Sequence, residues 1–421
     1  MLKRLTIILI VLAMVACTER PTASNFSQVS DPNDKSDIGD TNGAVKPNPE
    51  PDQPGIETPD NPSVDYSQFN DKLIDRREMK GHDPVALAFG DNKKNLILVY
   101  IYNQRVYYRS SDNMGLTLNP EVEIKGTQNA RAPYVFARGN KVTIAYSDNS
   151  TVYSVQGTFN PTDATIEFGQ PAEIKNIKSH AQGLLGGLVS PTRIATFTGA
   201  GKDGTHLVLP ITVADLRDPV SIYCVAFAYS VDGKNWTLGH AVRPNDDMSV
   251  RWNNYDNNAQ TSKYLQAKVF KVNGNSVEML AQPRWNGQAR GIGVFNTSYT
   301  INYNAKNYNV GKTVASDAQS SFETVITGNG TYLIGAIERD GQGPRNIVLR
   351  KYKGQALSQL EKQVKVSDKG TASSVAVFGD DTIAVFVNEE YQYDDQANFN
   401  GRLVYKRFTP TYFDTHDIIG D

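Results

Sequence analysis

The feature that most constrains the fold is a long succession of short, strand-like apolar runs after residue 65. Examples are "NLILVYIY", "KVTIAYS", "VSIYCVAF" and "TIAVFVNE", and turn clusters such as "GDNKKN", "TGNGT" and "FGDDT" separate such runs. Many short antiparallel strands joined by turns rich in Gly, Asn and Asp predict a sandwich, a barrel or a propeller. The best helix candidate is "GQALSQLEKQ", so we expect an almost entirely β chain.

A loose internal repeat favours the propeller among these three folds. Units that end in "YRSS", "AYSD", "AYSVD" or "LRKY" recur along the chain. Their spacing of ~50–60 residues is typical of blade repeats, and about 355 residues would supply six four-stranded blades.

The segment at 230–236 carries a turn motif of the form Ser-x-Asp-Gly-x-x-Trp. The segment at 111–118 is a second copy with Asn for the Asp, Leu for the Trp and one more residue before the glycine. The aspartate of such a turn bonds its own backbone amides, and the glycine takes a positive φ at no steric cost. We therefore interpret both segments as structural hairpin turns. Their residues are Ser230, Asp232, Gly233 and Trp236 in one copy, and Ser111, Asn113, Gly115 and Thr117 in the other.

The N-terminus predicts export from the cytoplasm. Lys3 and Arg4 precede an apolar stretch that is too short to span a membrane, as in a signal peptide. Cleavage before Cys17 resembles the bacterial lipoprotein signal, which implies a lipid anchor on Cys17 and a place in the cell envelope, at the outer membrane or cell surface. An ordinary secretory signal is the alternative.

The composition divides the chain into three parts. We predict a signal peptide at 1–16, a disordered tether at 17–64 and a folded part at 65–421. The tether is rich in Pro, Asp and Asn and has too few large apolar residues to offset the entropy of ordering.

Charge and composition exclude several functions. The net charge of −2 and the lack of a basic stripe predict no nucleic-acid partner. Two cysteines imply no disulfide framework, and five histidines without ligand spacing predict no metal site. No phosphate-binding glycine loop or nucleophile elbow occurs, and we expect no cofactor.

The two turn motifs resemble the Asp-box, or BNR repeat, of sialidases, and the resemblance covers most of residues 80–410. It implies a six-bladed, sialidase-like β-propeller with the boxes on the rim away from the active site. In this family three arginines hold the sugar carboxylate, a tyrosine paired with a glutamate is the nucleophile, and an aspartate is the acid/base. The segments "VEMLAQPRWNG" and "GPRNIVLR" are similar to those of the second and third arginines, which places Arg284 and Arg345 there.

The chain departs from the family pattern at the other positions. His82 stands where the first arginine is expected, Gln266 and Lys271 where the glutamate is expected, and Ala372 where the tyrosine is expected. The catalytic residues are therefore unknown. If the alignment is displaced around loops, the missing groups could come from Glu278, Asp246, Asp247, Glu389, Tyr391 or Tyr393.

Aromatic residues near these arginines favour a sugar-binding surface. Trp252 and Tyr255 lie in a long polar segment, and Trp285 directly follows Arg284. The alternative is that these rings anchor loops or the core, and that His82 is a structural histidine.

The resulting hypothesis is a divergent or non-catalytic glycan-binding lipoprotein whose partner is a glycan or glycoconjugate, with sialylated glycans among the candidates. Two alternatives are an active exo-α-sialidase and a propeller scaffold for assembly of envelope proteins.

Overall fold

The computed structural model describes a set of segments of the 421-residue chain, all within the second of two compact units, Met1–Ile56 and Glu57–Asp421. The described residues are 75–148, 151–177, 179–180, 195–196, 206–215, 222–242, 263–285, 288–289, 292–300, 309–315, 318–337, 346–355, 357–367, 370–392 and 400–411. The predicted signal peptide, the tether and Cys17 lie outside them.

The described strands form six antiparallel sheets, which we number in chain order. Strand β1 (Asp75–Lys80) comes first, and sheet 1 then contains β2 (His82–Phe89), β3 (Asn95–Tyr102), β4 (Arg105–Ser111) and β5 (Val122–Glu123). Sheet 2 contains β6 (Arg131–Arg138), β7 (Lys141–Ser147), β8 (Val152–Phe159), β9 (Ile166–Phe168) and β10 (Ala172–Glu173). Sheet 3 contains β11 (Ala195–Thr196), β12 (Leu207–Asp215), β13 (Ile222–Ser230) and β14 (Thr237–Val242).

Sheets 4 to 6 repeat this order. Sheet 4 contains β15 (Lys263–Asn273), β16 (Ser276–Trp285), β17 (Gln288–Ala289), β18 (Ile292–Ser298) and β19 (Asn309–Ala315). Sheet 5 contains β20 (Ala318–Thr327), β21 (Gly330–Ile337), β22 (Asn346–Tyr352) and β23 (Leu360–Ser367). Sheet 6 contains β24 (Gly370–Val377), β25 (Ile383–Gln392) and β26 (Asn400–Phe408), and β1 joins its edge by pairing with β26.

The inner strands of the sheets connect the sheets into a ring. Contacts join β2 to β6, β6 to β11, β12 to β15, β15 to β20, β20 to β24 and β24 back to β2. The amide of Ala86 in β2 donates to the Oγ of Ser374 in β24 at 2.7 Å, so sheets 1 and 6 meet along these strands. A closed series of small antiparallel sheets is the architecture of a β-propeller, and the described residues are nearly all β.

All six sheets have the same orientation in the ring. We call the end with the hairpin between the first and second strands the turn end, and the opposite end the distal end. At the turn end, Arg138 of sheet 2 donates to the carbonyl of Val231 in sheet 3 at 2.7 Å. At the same end, Asn329 of sheet 5 bonds Asp381 of sheet 6, and Ser110 of sheet 1 bonds the carbonyl of Ala164 in sheet 2.

The core lies between neighbouring sheets and explains the unbroken apolar runs. Every residue from Leu96 to Ile101 of β3 is fully buried. Leu96, Leu98 and Tyr100 pack against sheet 6, whereas Ile97, Val99 and Ile101 pack against sheet 2. A strand covered on both faces needs apolar side chains at every position, which a half-exposed strand does not.

The best helix candidate of the sequence contains an edge strand instead. The segment "GQALSQLEKQ" contains no described helix, because Leu360 begins β23, which pairs with β22. Charged and apolar residues alternate along β23, as is typical of a strand at the edge of a sheet. Within the described segments, no helix is long and apolar enough to cross a membrane.

Candidate functional site

The turn at residues 230–236 is a hydrogen-bonded scaffold at the turn end of sheet 3. The Asp232 carboxylate accepts bonds from the amides of Asn235 (2.8 Å) and Lys234 (2.9 Å), from the Asn235 side chain and from the Ser230 hydroxyl. Led by the Asn235 amide, these bonds hold the pKa of Asp232 well below its ordinary value. Gly233 has φ +76° and donates its amide to Ser230 Oγ, so glycine suits this turn.

Trp236 connects the same turn to sheet 2. Its indole N–H donates to Ser154 Oγ at 3.0 Å, and its ring packs edge-on against Phe136. Trp236 therefore packs between the two sheets and does not face a ligand.

The turn at residues 111–117 is likewise held by its own hydrogen bonds, and it joins sheet 1 to sheet 6. Asn113 Oδ1 accepts the amide of Thr117 at 3.0 Å, and Ser111 Oγ accepts the amide of Gly115 at 3.0 Å. The carbonyl of Gly115 in turn accepts the hydroxyl of Tyr405 at 3.0 Å. Both turns thus lie at the turn end, which leaves the distal end as the candidate functional surface.

The first strands of five sheets are irregular where they begin, at the distal end. Pairing shifts by a residue or more near the start of β2, β6, β15, β20 and β24. Two of these bulges have the same form, because Asp83 (φ +49°) and Ala132 (φ +45°) each stand directly before a proline. Such bulges re-aim side chains, and strained backbone concentrates at functional sites.

Arg131 is the residue that the second bulge presents. It opens β6 opposite Ser147 and is half-buried. No hydrogen bond or ion pair joins its guanidinium to another of the described residues. Sequence reasoning missed Arg131, although a signal exists: Arg131-Ala132-Pro133 repeats the pattern of His82-Asp83-Pro84, with a basic residue two positions before proline.

The structure places two predicted binding segments at the same end. His82 opens β2, and Arg284 and Trp285 end β16, where they pair with Ala289 and Gln288. The orientations of these three side chains are outside what the structure describes. Arg345 lies outside the described residues, directly before β22, and Trp252 and Tyr255 also lie outside them.

Two of the alternative carboxylates do not serve an arginine site. Glu278 lies at the turn end of β16 beside Lys271, at 3.9 Å. It is six residues from Arg284, which is about 20 Å along a strand. Glu389 is 2% exposed between sheets 5 and 6, where it pairs with Lys406 at 3.1 Å and accepts the Ser367 hydroxyl at 2.8 Å. Asp246, Asp247 and Tyr393 lie outside the described residues, as does the side chain of Tyr391.

A buried phenol and a buried carboxylate interact across the interior of the ring. Tyr134 belongs to β6 of sheet 2 and Glu323 to β20 of sheet 5, which are not neighbours. Burial, and secondarily the charge of Glu323, raise the pKa of Tyr134 well above its ordinary value. The phenol therefore stays protonated near neutral pH, and in this state it is not a nucleophile.

Among the described residues, no group of three or more His, Cys, Asp or Glu side chains is arranged to hold a metal ion.

Comparison with known proteins assigns no family. No family model matches the chain, and no curated protein matches it. Solved structures that resemble it include a mutant of the GH32 β-fructofuranosidase of Bombyx mori in complex with sucrose (14% identity, TM-score 0.41), with 66% of this chain and 60% of that enzyme covered. Others are Zg3597, a family 117 glycoside hydrolase of Zobellia galactanivorans (9%, TM-score 0.43, 69% and 90% covered), and a thermostable family 43 glycoside hydrolase (11%, TM-score 0.41, 66% and 89% covered). The chain thus spans about 60% of the length of the B. mori enzyme, and similarity at this level assigns it no activity.

Proposed function

We propose that the six sheets are the blades of a sialidase-like propeller whose distal end binds glycans without hydrolysing them. The observation that carries this proposal is Arg131, a half-buried arginine at the inner edge of the distal end, with no hydrogen bond or ion pair to the described residues. A guanidinium in this setting suits a planar anion such as a sugar carboxylate, which it can bind through two parallel hydrogen bonds.

Other features of the distal end support binding of an acidic sugar. Arg284 and Trp285 end β16 on the same side of the ring, and His82 opens β2 there. The turn motifs occupy the opposite end, as the Asp-boxes of the sialidase-like propeller would.

The lack of catalysis is proposed from the residues at the expected positions. Ala372 stands where the nucleophilic tyrosine would be. Tyr134 does not replace it, because its phenol is fully buried and its pKa is raised. For the chain as a whole, we propose a lipid anchor on Cys17 and a tether at 17–64, which would present this end to glycans at the cell envelope.

The test is binding of the methyl α-glycoside of N-acetylneuraminic acid to the full chain in mild detergent, measured by calorimetry. We expect Arg131→Gln to weaken binding by about tenfold or more, since charge-assisted hydrogen bonds are lost. Arg138→Gln is the matched control, because Arg138 ends the same strand at the turn end and should leave the affinity unchanged.

Three outcomes would contradict the proposal. They are no binding by the wild type, equal losses in the two variants, or steady release of a fluorogenic leaving group from an α-sialoside. The last would identify the chain as a sialidase whose catalytic groups are elsewhere. Failure to bind acidic or neutral glycans would favour a scaffold for protein assembly.

A further inference from the structure

Two tyrosine rings lie close together at the distal end of sheet 1, with their planes tilted by 59°. Tyr102 ends β3 and Tyr107 belongs to β4, with their ring centroids 5.8 Å apart, and both are half-buried. Asn103 and Gln104 form the two-residue turn between the strands, with φ +47° and +58°. Positive φ at both positions is typical of the tight type I′ hairpin, which holds Tyr102 opposite Arg105. We call Tyr102 and Tyr107 the tyrosine platform.

A hydrogen bond holds one ring of the platform, Tyr107, before any ligand arrives. The Tyr107 hydroxyl donates to Glu123 at 3.2 Å, and Arg105 donates to the same carboxylate. Burial first, and then the charges of Glu123 and Glu121, raise the pKa of Tyr107 to about 12, so the phenol is neutral at physiological pH. A ring that is already held in place loses little entropy when a ligand stacks on it.

Sheet 2 contains the same stacked pair and carboxylate, without a further ring like that of Tyr102. Tyr146 and Tyr153 stack at 5.4 Å, as Tyr100 and Tyr107 do at 6.2 Å, and Tyr153 donates to Asp148 at 3.2 Å. The stacked pair with a carboxylate is therefore common to sheets 1 and 2. Two residues after Tyr146, however, sheet 2 has Asp148, whereas sheet 1 has Tyr102 two residues after Tyr100. The ring of Tyr102 is therefore specific to sheet 1, and the stacked pair with its carboxylate does not require it.

We propose that the tyrosine platform is a second sugar subsite, which stacks an uncharged ring of the glycan whose acidic residue binds near Arg131. The subsite rests on the proposed function for its place in the glycan. The platform shares the distal end with Arg131 of sheet 2, and it lies on the second and third strands of sheet 1, about 5–10 Å outward from the inner strand β2.

The chemistry of the platform favours an uncharged sugar. Two adjacent aromatic rings offer apolar surface to sugar C–H groups, and the nearby carboxylates accept hydrogen bonds from sugar hydroxyls. Glu121, which is exposed, and Glu123 would repel a second acidic sugar.

The experiment compares an acidic monosaccharide with a longer glycan on the full chain. The probes are the methyl α-glycoside of N-acetylneuraminic acid and α2,3-sialyllactose, whose added sugars are neutral. We expect Tyr102→Ala and Tyr107→Ala each to weaken sialyllactose binding by about tenfold, with the monosaccharide affinity unchanged. Tyr107→Phe keeps the ring and should retain most of the affinity, and Tyr153→Ala is the matched control from sheet 2.

A second arm separates failure of the subsite from failure of the proposed function. Saturation-transfer NMR with lactose, maltose, mannobiose and N,N′-diacetylchitobiose detects binding of neutral sugars directly. We expect at least one to bind the wild type and Arg131→Gln, but not Tyr107→Ala. If acidic sugars fail to bind and this result holds, the subsite stands alone. The subsite is refuted if none of the four binds, or if Tyr107→Ala has no greater effect than Tyr153→Ala at equal melting temperature.

Discussion

Replacing Asp232 tests whether the turn at residues 230–236 stabilises the fold. Four hydrogen bonds converge on this one carboxylate: two from backbone amides and two from side chains. Asp232→Ala removes all four, whereas Asp232→Asn keeps one acceptor oxygen and loses the charge. Asn113 is the natural comparison, because it occupies the same place in the turn of sheet 1.

The expected cost follows from the bond count and the exposure. A net hydrogen bond contributes about 0.5–1.5 kcal/mol, and because Asp232 is exposed we take the lower end. Asp232→Ala should thus lower the free energy of unfolding by about 2 kcal/mol, and Asp232→Asn by about half of that. For a folded part of this size, about 2 kcal/mol corresponds to a fall in melting temperature of about 3 °C.

The pH dependence gives the sharper assay. The Asp232 pKa lies below its ordinary value of 3.8 in the folded protein, so its contribution is present above that pH and is lost as the pH falls through the folded pKa. Urea unfolding from pH 7 down to pH 2 should therefore show the gap between wild type and Asp232→Asn closing below pH 3.8. Asn113→Asp should introduce a similar acid sensitivity. A gap that is constant with pH, or Asp232→Ala at wild-type stability, would refute this account.

Three further substitutions probe the joints between sheets. Lys406→Met leaves the Glu389 charge buried without its cation and should cost about 3–5 kcal/mol, whereas Lys406→Met with Glu389→Gln should recover part of this in urea unfolding. Gly239→Ala should lower the melting temperature by several degrees, because its Cβ would collide with the carbonyl oxygen of Tyr299; a wild-type melting temperature would show that the joint between sheets 3 and 4 adapts. Ser374→Ala leaves a buried amide of β2 without its acceptor and should cost about 1–3 kcal/mol, and unchanged amide exchange in β2 would contradict this.

Short-range patterns were enough for the secondary structure. The apolar runs and the Gly/Asn/Asp turns between them predicted a nearly all-β chain, and they did so because strand and turn preferences depend on neighbours in sequence. The edge strand β23 was missed for the same local reason, since its alternation of lysine with apolar residues is short and adjoins a stretch of good helix formers.

The candidate site depended on contacts that no local pattern encodes. Sequence reasoning selected Arg284 and His82 and passed over Arg131. The pattern that Arg131 shares with His82 marks the bulge, but only the pairing of β6 with β7 shows that Arg131 is half-buried there. Glu389 was a candidate acid in the sequence, and only the approach of Lys406 from β26 and Ser367 from β23 shows that it is part of a buried joint.

The sequence by itself therefore determined the strands, the turns and an apolar pattern that requires both faces of each sheet to be buried. The tertiary structure decided which polar groups form hydrogen bonds and ion pairs between sheets, and which remain available at the distal end. The physical reason is that a side chain's hydrogen bonds and charge partners come from other sheets, brought close only when the ring forms.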